Sequence, residues 1–290
     1  MGHEHGEKST GAWARRAIDL LLADRACEPP TPLDHVPLRG PDHVPLRGPD
    51  HVPLRGPDHV PLRGPDHGPL RGRPDVRIRL KDESRRPSGS AAHGSARDLL
   101  LDALREGRID RDTPLFDAAD GGMAVAQAYF ARLLGLDCTA VLRAPADPAE
   151  VRAIERRGGH CRTPGAAFGA RESAKELAER AGGHFLDHRH RLPDALDWSG
   201  PYGLGAEILA QTPAAWIVMR DGAVAAGVGR YLRAGSDTRL AVVARPGTGV
   251  RTAAAVADLT LPHTAQGLRG ALQTLDRTGA DGTIVVVLGA

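Results

Sequence analysis

From residue 76 to the end of the chain, short apolar runs alternate with longer stretches whose apolar positions recur at helical spacing. The runs 217–219 and 284–288 are continuously apolar, which is typical of strands covered on both faces. Repeated strand–helix order predicts right-handed crossovers and therefore an α/β fold with a parallel sheet. The predicted strands are 76–81, 114–117, 139–142, 214–219, 240–244 and 283–288, and the predicted helices are 95–106, 122–135, 147–157, 168–182, 203–211, 222–233 and 264–277.

The first 75 residues follow a different pattern. An amphipathic helix is predicted over 13–25, before Pro29 and Pro30. An octapeptide of sequence DHVPLRGP follows, first at 34–41 and then in further copies, the last of them weaker. Its two prolines and one glycine disfavour both helix and ladder formation, so this insert is predicted to be disordered. The predicted organisation is an N-terminal tail and helix over 1–30, the repeat insert over 31–73, and a domain over 74–290 with a smaller subdomain at about 110–195.

Composition narrows the class of protein. Charged residues make up 26% of the chain, yet the formal net charge is only +2, which disfavours a dedicated nucleic-acid binder. No apolar run approaches the ~20 residues of a membrane helix, and the first ten residues lack the apolar core of a secretory signal. The three cysteines are far apart in sequence and form neither a disulfide framework nor a metal knuckle. We therefore expect a cytoplasmic protein without membrane or nucleic-acid partners.

In parallel sheets, ligands bind in the loops that follow the carboxyl ends of strands. The loop after the first long strand reads KDESRRPSGSAAHG over 81–94. It resembles the signature of fold-type II pyridoxal-phosphate enzymes, the cysteine synthase and cysteine desulfhydrase group, in which a strand ending in L-K-x-E is followed by N/H-P-[ST]-G-S-x-K. Further segments that resemble this family, and the L-cysteine desulfhydrase branch in particular, are 31–33, 128–136, 182–187, 197–198 and 229–233.

The resemblance implies a tryptophan-synthase-β-like fold: parallel sheets with helices on both faces, arranged as two subdomains. It also implies pyridoxal 5′-phosphate as the family cofactor and a homodimer as a possible assembly. The chain ends at about the point where the family's pyridine-nitrogen motif begins, so the same resemblance predicts a shortened C-terminus.

The functional residues depart from this resemblance. With Ser88, Gly89 and Ser90 aligned to the signature, the Schiff-base lysine falls on Ala92, whose side chain has no amine. The chain has only three lysines, Lys8, Lys81 and Lys175, and none lies at the expected position. We therefore assign no catalytic residue.

Two further family loops are altered. The loop that holds the substrate carboxylate in the family is replaced by Asp120, Gly121, Gly122 and Met123, in which Asp120 would repel an anionic group. The glycine-rich phosphate cup is replaced by the segment Arg220, Asp221, Gly222, Ala223 and Val224. Arg220 would attract a phosphate and Asp221 would oppose it.

These departures predict a cysteine synthase/desulfhydrase-like pseudoenzyme with a binding or regulatory role, without cofactor and without metal, whose partner is an unknown protein or a small anion. Two alternatives stay open: an enzyme of the pyridoxal-phosphate family that works without a Schiff base, and a nonfunctional, decaying copy. Whether the chain is an enzyme is therefore undecided at this point. The histidines at 184, 188 and 190 are expected to lie on an exposed loop rather than to bind a metal.

Overall fold

The computed structural model describes residues 3–35, 76–119, 121–164, 169–200, 203–220, 222–244, 255–262, 272 and 274–288. The repeats from residue 36 onward, Asp120, Asp221 and most of the predicted helix 264–277 lie outside these residues. The described chain forms two compact units. The first comprises residues up to Pro29 together with Arg86–Leu196, and the second comprises Pro30–Arg85 and Asp197–Ala290.

The first unit contains a four-stranded, fully parallel sheet in the order β5-β4-β3-β6. Helix α1 packs against α2, and α2 in turn packs against α3 and α6. The elements of this unit are α1 His3–Cys27, α2 His93–Arg105, β3 Leu115–Asp117, α3 Gly121–Leu134, β4 Cys138–Val141, α4 Pro148–Arg156, β5 His160–Arg162, α5 Ala170–Ala181, β6 His184–Phe185 and α6 His188–Ala195.

The second unit contains a six-stranded sheet in the order β1-β2-β10-β7-β8-β9. All its pairings are parallel except that of β1 with β2. Its elements are β1 Leu33–His35, β2 Val76–Asp82, a 3₁₀ turn Glu83–Arg85, α7 Leu204–Gln211, β7 Trp216–Arg220, α8 Ala223–Arg233, β8 Arg239–Ala244, β9 Leu259–Pro262 and β10 Gly282–Leu288.

The central strands of the larger sheet are buried on both faces, as their continuous apolar sequences predict. In β10, Ile284 and Val286 belong to one apolar cluster, and Val285 and Val287 belong to the cluster on the opposite face. Strand β7 divides its side chains between the same two clusters. The prediction of an α/β fold with parallel sheets is therefore confirmed, and the edge strand β1 differs from it in pairing antiparallel.

Four short strands were not predicted: β1, β5, β6 and β9. They have two to four residues each, and β5 reads His-Cys-Arg with its first and last residues exposed. Such segments are too short for an apolar periodicity to predict a strand, and they become strands because they pair with a neighbouring strand. Helix α1 is also longer than predicted, since it begins at His3 rather than near residue 13.

Candidate functional site

The loop that resembles the family signature leads into helix α2. Gly89 has φ +79°, a left-handed conformation that glycine adopts without strain, and its amide donates to the carbonyl of Arg86 (2.7 Å). The Ser90 hydroxyl accepts a hydrogen bond from the amide of Ala92 (3.0 Å), the residue immediately before the helix. Residues 86–92 therefore form a turn that is held by its own hydrogen bonds.

The same serine joins this turn to a second loop that the resemblance selects. Ser90 Oγ donates to the carbonyl of Gly122 at 2.8 Å, in the first turn of α3. A Cβ atom at residue 122 would clash with Ser90 Oγ, so glycine is needed for this approach. Ser90, Ala92 and Gly122 are thus brought together in the first unit, whereas Asp120 lies outside the described residues.

The start of α3 already has an anionic partner. The amide of Gly121, the first residue of the helix, donates to the Glu150 carboxylate of α4. Helix N-termini favour negative charge because their first amides have no partner within the helix. The Glu150 carboxylate therefore occupies one of the backbone amides with which this turn could otherwise bind an anion.

No side-chain amine occurs at the start of α2. Ala92 is half-buried, and the next residue, His93, is completely buried against Phe130, with ring centroids 4.6 Å apart. His93 Nδ1 accepts from the amide of Ser88 at 3.3 Å, and Nε2 faces Asp24 at 3.3 Å. His93 is thus part of the packing between α1 and α2.

Asp24, Glu28 and His93 bring three potential metal-ligand atoms within 4.8 Å of one another. Both carboxylates, however, contact the Arg97 guanidinium, at 3.0 and 2.7 Å, and Glu28 also contacts Arg86 at 2.9 Å. A cation would have to compete with two arginines. These residues therefore fit a buried ion-pair network better than a metal site.

In the second unit, the turn between β7 and α8 corresponds to the family's phosphate cup. Arg220 ends the strand on an exposed position, and Gly222 precedes the helix with open space around its Cα. The first hydrogen bond of the helix runs from the amide of Ala226 to the carbonyl of Gly222, so the amides of residues 223–225 have no acceptor in the helix. This turn fits a phosphate group. Asp221 lies outside the described residues.

Lys81, the lysine nearest the signature loop, is fully buried in the second unit. Its ammonium donates to the carbonyl of Thr31 (2.8 Å) and to Gln211 Oε1 (2.7 Å), and it forms an ion pair with Glu207. The amine is therefore surrounded by acceptors and positioned to connect β2 with α7. It serves a structural purpose.

Asp117, which the sequence analysis did not single out, is the last residue of β3 and is 1% exposed. Its Oδ2 accepts from Gln127 Nε2 (2.6 Å) and faces His188 Nδ1 at 3.0 Å. The expectation that His188 lies on an exposed loop is wrong, because the residue begins helix α6 and its side chain is 13% exposed. The sequence feature that could have pointed to Asp117 is the presence of an Asp at the carboxyl end of a predicted strand, where ligands of parallel sheets bind.

His184 on β6 also departs from the expected exposed loop. Burial and the nearby guanidinium groups of Arg108 and Arg191 lower the pKa of His184 to about 4. Arg108 Nη1 lies 3.2 Å from its Nε2. The neutral imidazole is therefore the form that the fold favours.

This pKa predicts an acid-dependent loss of stability. In the unfolded chain His184 protonates near its ordinary value of about 6.5. Its stabilising contribution is therefore complete above pH 6.5 and is lost as the pH falls toward 4. His184→Gln should decrease the slope of unfolding free energy against pH over that window, measured by urea unfolding at several pH values. An unchanged slope would contradict the lowered pKa.

The fold and these loops define the class of the protein. The parallel α/β arrangement is shared with O-ureido-L-serine synthase (TM-score 0.59, 19% identity, 75% of this chain and 85% of that one). It is also shared with a hydrogen sulfide-producing enzyme from Fusobacterium nucleatum (TM-score 0.60, 14% identity, 73% and 89%). A pyridoxal 5′-phosphate-dependent aspartate racemase matches over 97% of this chain and 95% of its own, with a TM-score of 0.68 and 15% identity. These likenesses establish the fold-type II architecture.

The family to which this chain belongs is shown by comparison of its sequence with a family model. Residues 67–288 match the model of the pyridoxal-phosphate dependent enzyme family, and the chain belongs to that family. L-cysteine desulfhydrase Cds1 of Mycobacterium tuberculosis (strain ATCC 25177 / H37Ra) is 37% identical over 179 residues, which are 58% of this chain and 48% of that protein. The chain therefore matches about half the length of this curated relative.

This membership corrects one expectation. The expectation that the chain has no cofactor is wrong, because the matched family is pyridoxal-phosphate dependent. The residues fit the cofactor in part: the β7–α8 turn suits its phosphate, while Ala92 supplies no amine for its aldehyde. Within the parts of the chain that the structure describes, no helix has the length and apolarity to cross a bilayer.

Proposed function

We propose that this chain is a cysteine desulfhydrase-like protein that binds pyridoxal phosphate and has lost the Schiff-base lysine, so that it acts in binding or regulation rather than in turnover. The observation that carries the proposal is Ala92 at the start of α2, in the turn that Ser90 ties to Gly122. A methyl group there offers neither a nucleophile for the cofactor aldehyde nor a proton carrier for the reaction.

The two lysines whose side chains the structure describes support the same conclusion. Lys81 is buried, and its ammonium donates to a carbonyl and an amide oxygen besides its ion pair with Glu207. Lys175 lies on α5, 61% exposed, and faces Glu179 at 3.8 Å. Neither amine lies at the start of α2, where the family signature places the Schiff-base lysine. A turnover mechanism would need one of these lysines to change its surroundings.

The alternative is an enzyme that uses the same fold without a Schiff base. The observation behind this candidate is the β7–α8 turn, where the amides of residues 223–225 have no acceptor within the helix and could hold a phosphate in an enzyme as well as in a regulator. The two functions differ in whether cysteine is consumed.

The test uses the full-length protein with pyridoxal phosphate at near-stoichiometric concentration. We expect the protein to retain the cofactor after gel filtration, and borohydride reduction followed by peptide mass spectrometry to find no saturable adduct on a lysine. Sulfide release from L-cysteine should be absent. A stoichiometric adduct on Lys81 or Lys175, or sulfide production, would support the enzyme instead.

Ala92→Lys is the matched variant. If residue 92 faces the cofactor aldehyde, the new amine should be captured by borohydride as a stoichiometric adduct in the peptide containing residue 92. An adduct-free variant that still retains the cofactor would show that Ala92 does not occupy the Schiff-base position. The comparison therefore tests the assignment of that position separately from cofactor binding.

A further inference from the structure

The carboxyl edge of the four-stranded sheet carries an imidazole held by a buried carboxylate. Asp117 ends β3, and His188 begins α6 immediately after β6, the strand paired with β3. Asp117 Oδ2 lies 3.0 Å from His188 Nδ1 and 3.3 Å from the His188 backbone amide. The two residues are 71 positions apart in sequence, so the pair exists only in the folded first unit.

The contact with Asp117 assigns the tautomer of the neutral imidazole. A carboxylate oxygen accepts hydrogen bonds, so Nδ1 of His188 is the donor in this pair. In the neutral ring the other nitrogen, Nε2, then presents its lone pair. Among the residues that the structure describes, the ring bonds through Nδ1 to Asp117, and the side chain keeps 13% of its surface exposed. His188 thus offers a positioned acceptor at the edge where ligands of parallel sheets bind.

Asp117 is held in place as a partner for the imidazole. It is 1% exposed, and Gln127 Nε2 donates to the same carboxylate oxygen at 2.6 Å. Because Oδ2 is fixed in this way, the hydrogen bond from Nδ1 orients the imidazole ring, with Nε2 on the side of the ring away from Asp117.

His190, two residues further along α6, provides the contrast. Its Nδ1 faces Asp187 at 2.9 Å, but its side chain is 63% exposed and Arg171 also binds Asp187, at 2.6 and 3.1 Å. This second histidine–carboxylate pair is a solvated surface pair. It therefore serves as a natural control for His188.

We infer that His188 is the ligand-contacting base of this chain and that it takes the proton from the thiol of a cysteine-like amino acid. The inference rests on the proposed function, which makes such an amino acid the ligand. A thiol, with an ordinary pKa of about 8.5, can give its proton to an imidazole, whereas an aliphatic hydroxyl is a far weaker acid.

The step is a proton transfer. The S–H bond of the ligand breaks, the proton moves to His188 Nε2, and the electron pair stays on sulfur as a thiolate. The products are a thiolate and an imidazolium next to each other, with Asp117 behind the imidazolium. No oxidant or further reactant is required.

The probe is 3-mercaptopropionate, which is cysteine without its amino group and forms no Schiff base with pyridoxal phosphate. Butyrate, in which a methyl group replaces the thiol, is the matched ligand. We expect the cofactor-loaded wild-type protein to bind 3-mercaptopropionate about tenfold more tightly than butyrate by calorimetry. The bound thiol should also show the ultraviolet absorbance of a thiolate.

His188→Asn removes Nε2 while its amide can still donate to Asp117. The tenfold preference and the thiolate absorbance should both disappear in this variant and persist in His190→Asn. A preference that survives in His188→Asn, or that is lost equally in His190→Asn, would overturn the inference. Equal binding of the two ligands by the wild-type protein would do the same, and cofactor retention would then leave the proposed function standing.

A measurement on the wild-type protein avoids dependence on variant folding. In protein labelled with ¹⁵N-histidine, the His188 signal should show a protonated Nδ1 and an unprotonated Nε2 at neutral pH, and it should respond to 3-mercaptopropionate but not to butyrate. Observation of the opposite tautomer would contradict the role of Asp117. If cofactor is not retained but the thiol response is present, the proposed function fails and the base assignment holds.

Discussion

Replacing Lys81 by methionine should lower the free energy of unfolding by about 3–5 kcal/mol. The side chain is fully buried, and its removal leaves the Glu207 carboxylate without its cationic partner in a site where that carboxylate is only 12% exposed. Thr31 and Gln211 each lose the ammonium donor as well. Urea unfolding, followed by tryptophan fluorescence, to which the buried Trp216 on β7 contributes, measures the change.

Lys175→Met is the control for this substitution. Its partner Glu179 is 67% exposed at 3.8 Å, so loss of the pair should change stability by less than about 0.5 kcal/mol. The double variant Lys81→Met with Glu207→Leu should recover most of the loss, because it removes both members of the pair. A loss below about 1 kcal/mol for Lys81→Met would show that this ammonium does not hold β2 and α7 together.

Replacing Arg97 by methionine should destabilise the first unit by about 3–5 kcal/mol and loosen α1. Arg97 is 5% exposed and contacts Asp24 in the last turn of α1 and Glu28 just beyond the end of that helix. Burial alone would raise the pKa of Asp24, but the hydrogen bonds from His93 and Arg97 outweigh it and lower this pKa. Asp24 therefore stabilises the fold above its ordinary pKa near 4, and this contribution is lost as the pH falls through the lowered pKa.

Hydrogen exchange of peptides from residues 11–27 provides the second readout for Arg97→Met. Exchange in α1 should accelerate, while exchange in β4 should change less. The matched control is Arg180→Met, since Arg180 is 74% exposed and lies 3.7 Å from Glu176 on the same helix. Equal destabilisation by both substitutions, or unaltered exchange in α1, would refute an ionic attachment of this helix.

The elements that were predicted well are those whose sequence carries the burial pattern directly. Strands β2, β7, β8 and β10 begin and end within two residues of their predicted bounds, because continuous apolar runs are needed wherever both faces of a strand are covered. The polar strand β5 and the two-residue strand β6 could not be predicted in this way. Their conformation comes from hydrogen bonds to β4 and β3.

The residues of the candidate site likewise fall into those that a local motif predicts and those that only the fold brings together. Ser88, Gly89, Ser90 and Ala92 could be located from a contiguous motif, and the structure brings this motif to Gly122 through a single hydroxyl. Asp117 carried no motif, and His188 was expected on an exposed loop. Their pairing depends on the register of β3 with β6, which no local pattern encodes.

The sequence by itself determined the α/β class, the pyridoxal-phosphate family and the absence of an amine at residue 92, since each depends on the identity or periodicity of neighbouring residues. Only the tertiary structure decided that Lys81 is buried among acceptors, that α1 is attached to α2 through Arg97, and that Asp117 holds His188. The physical reason is that burial and ion pairing depend on contacts between residues that are far apart in the sequence. Their energies arise when packing removes water from both partners.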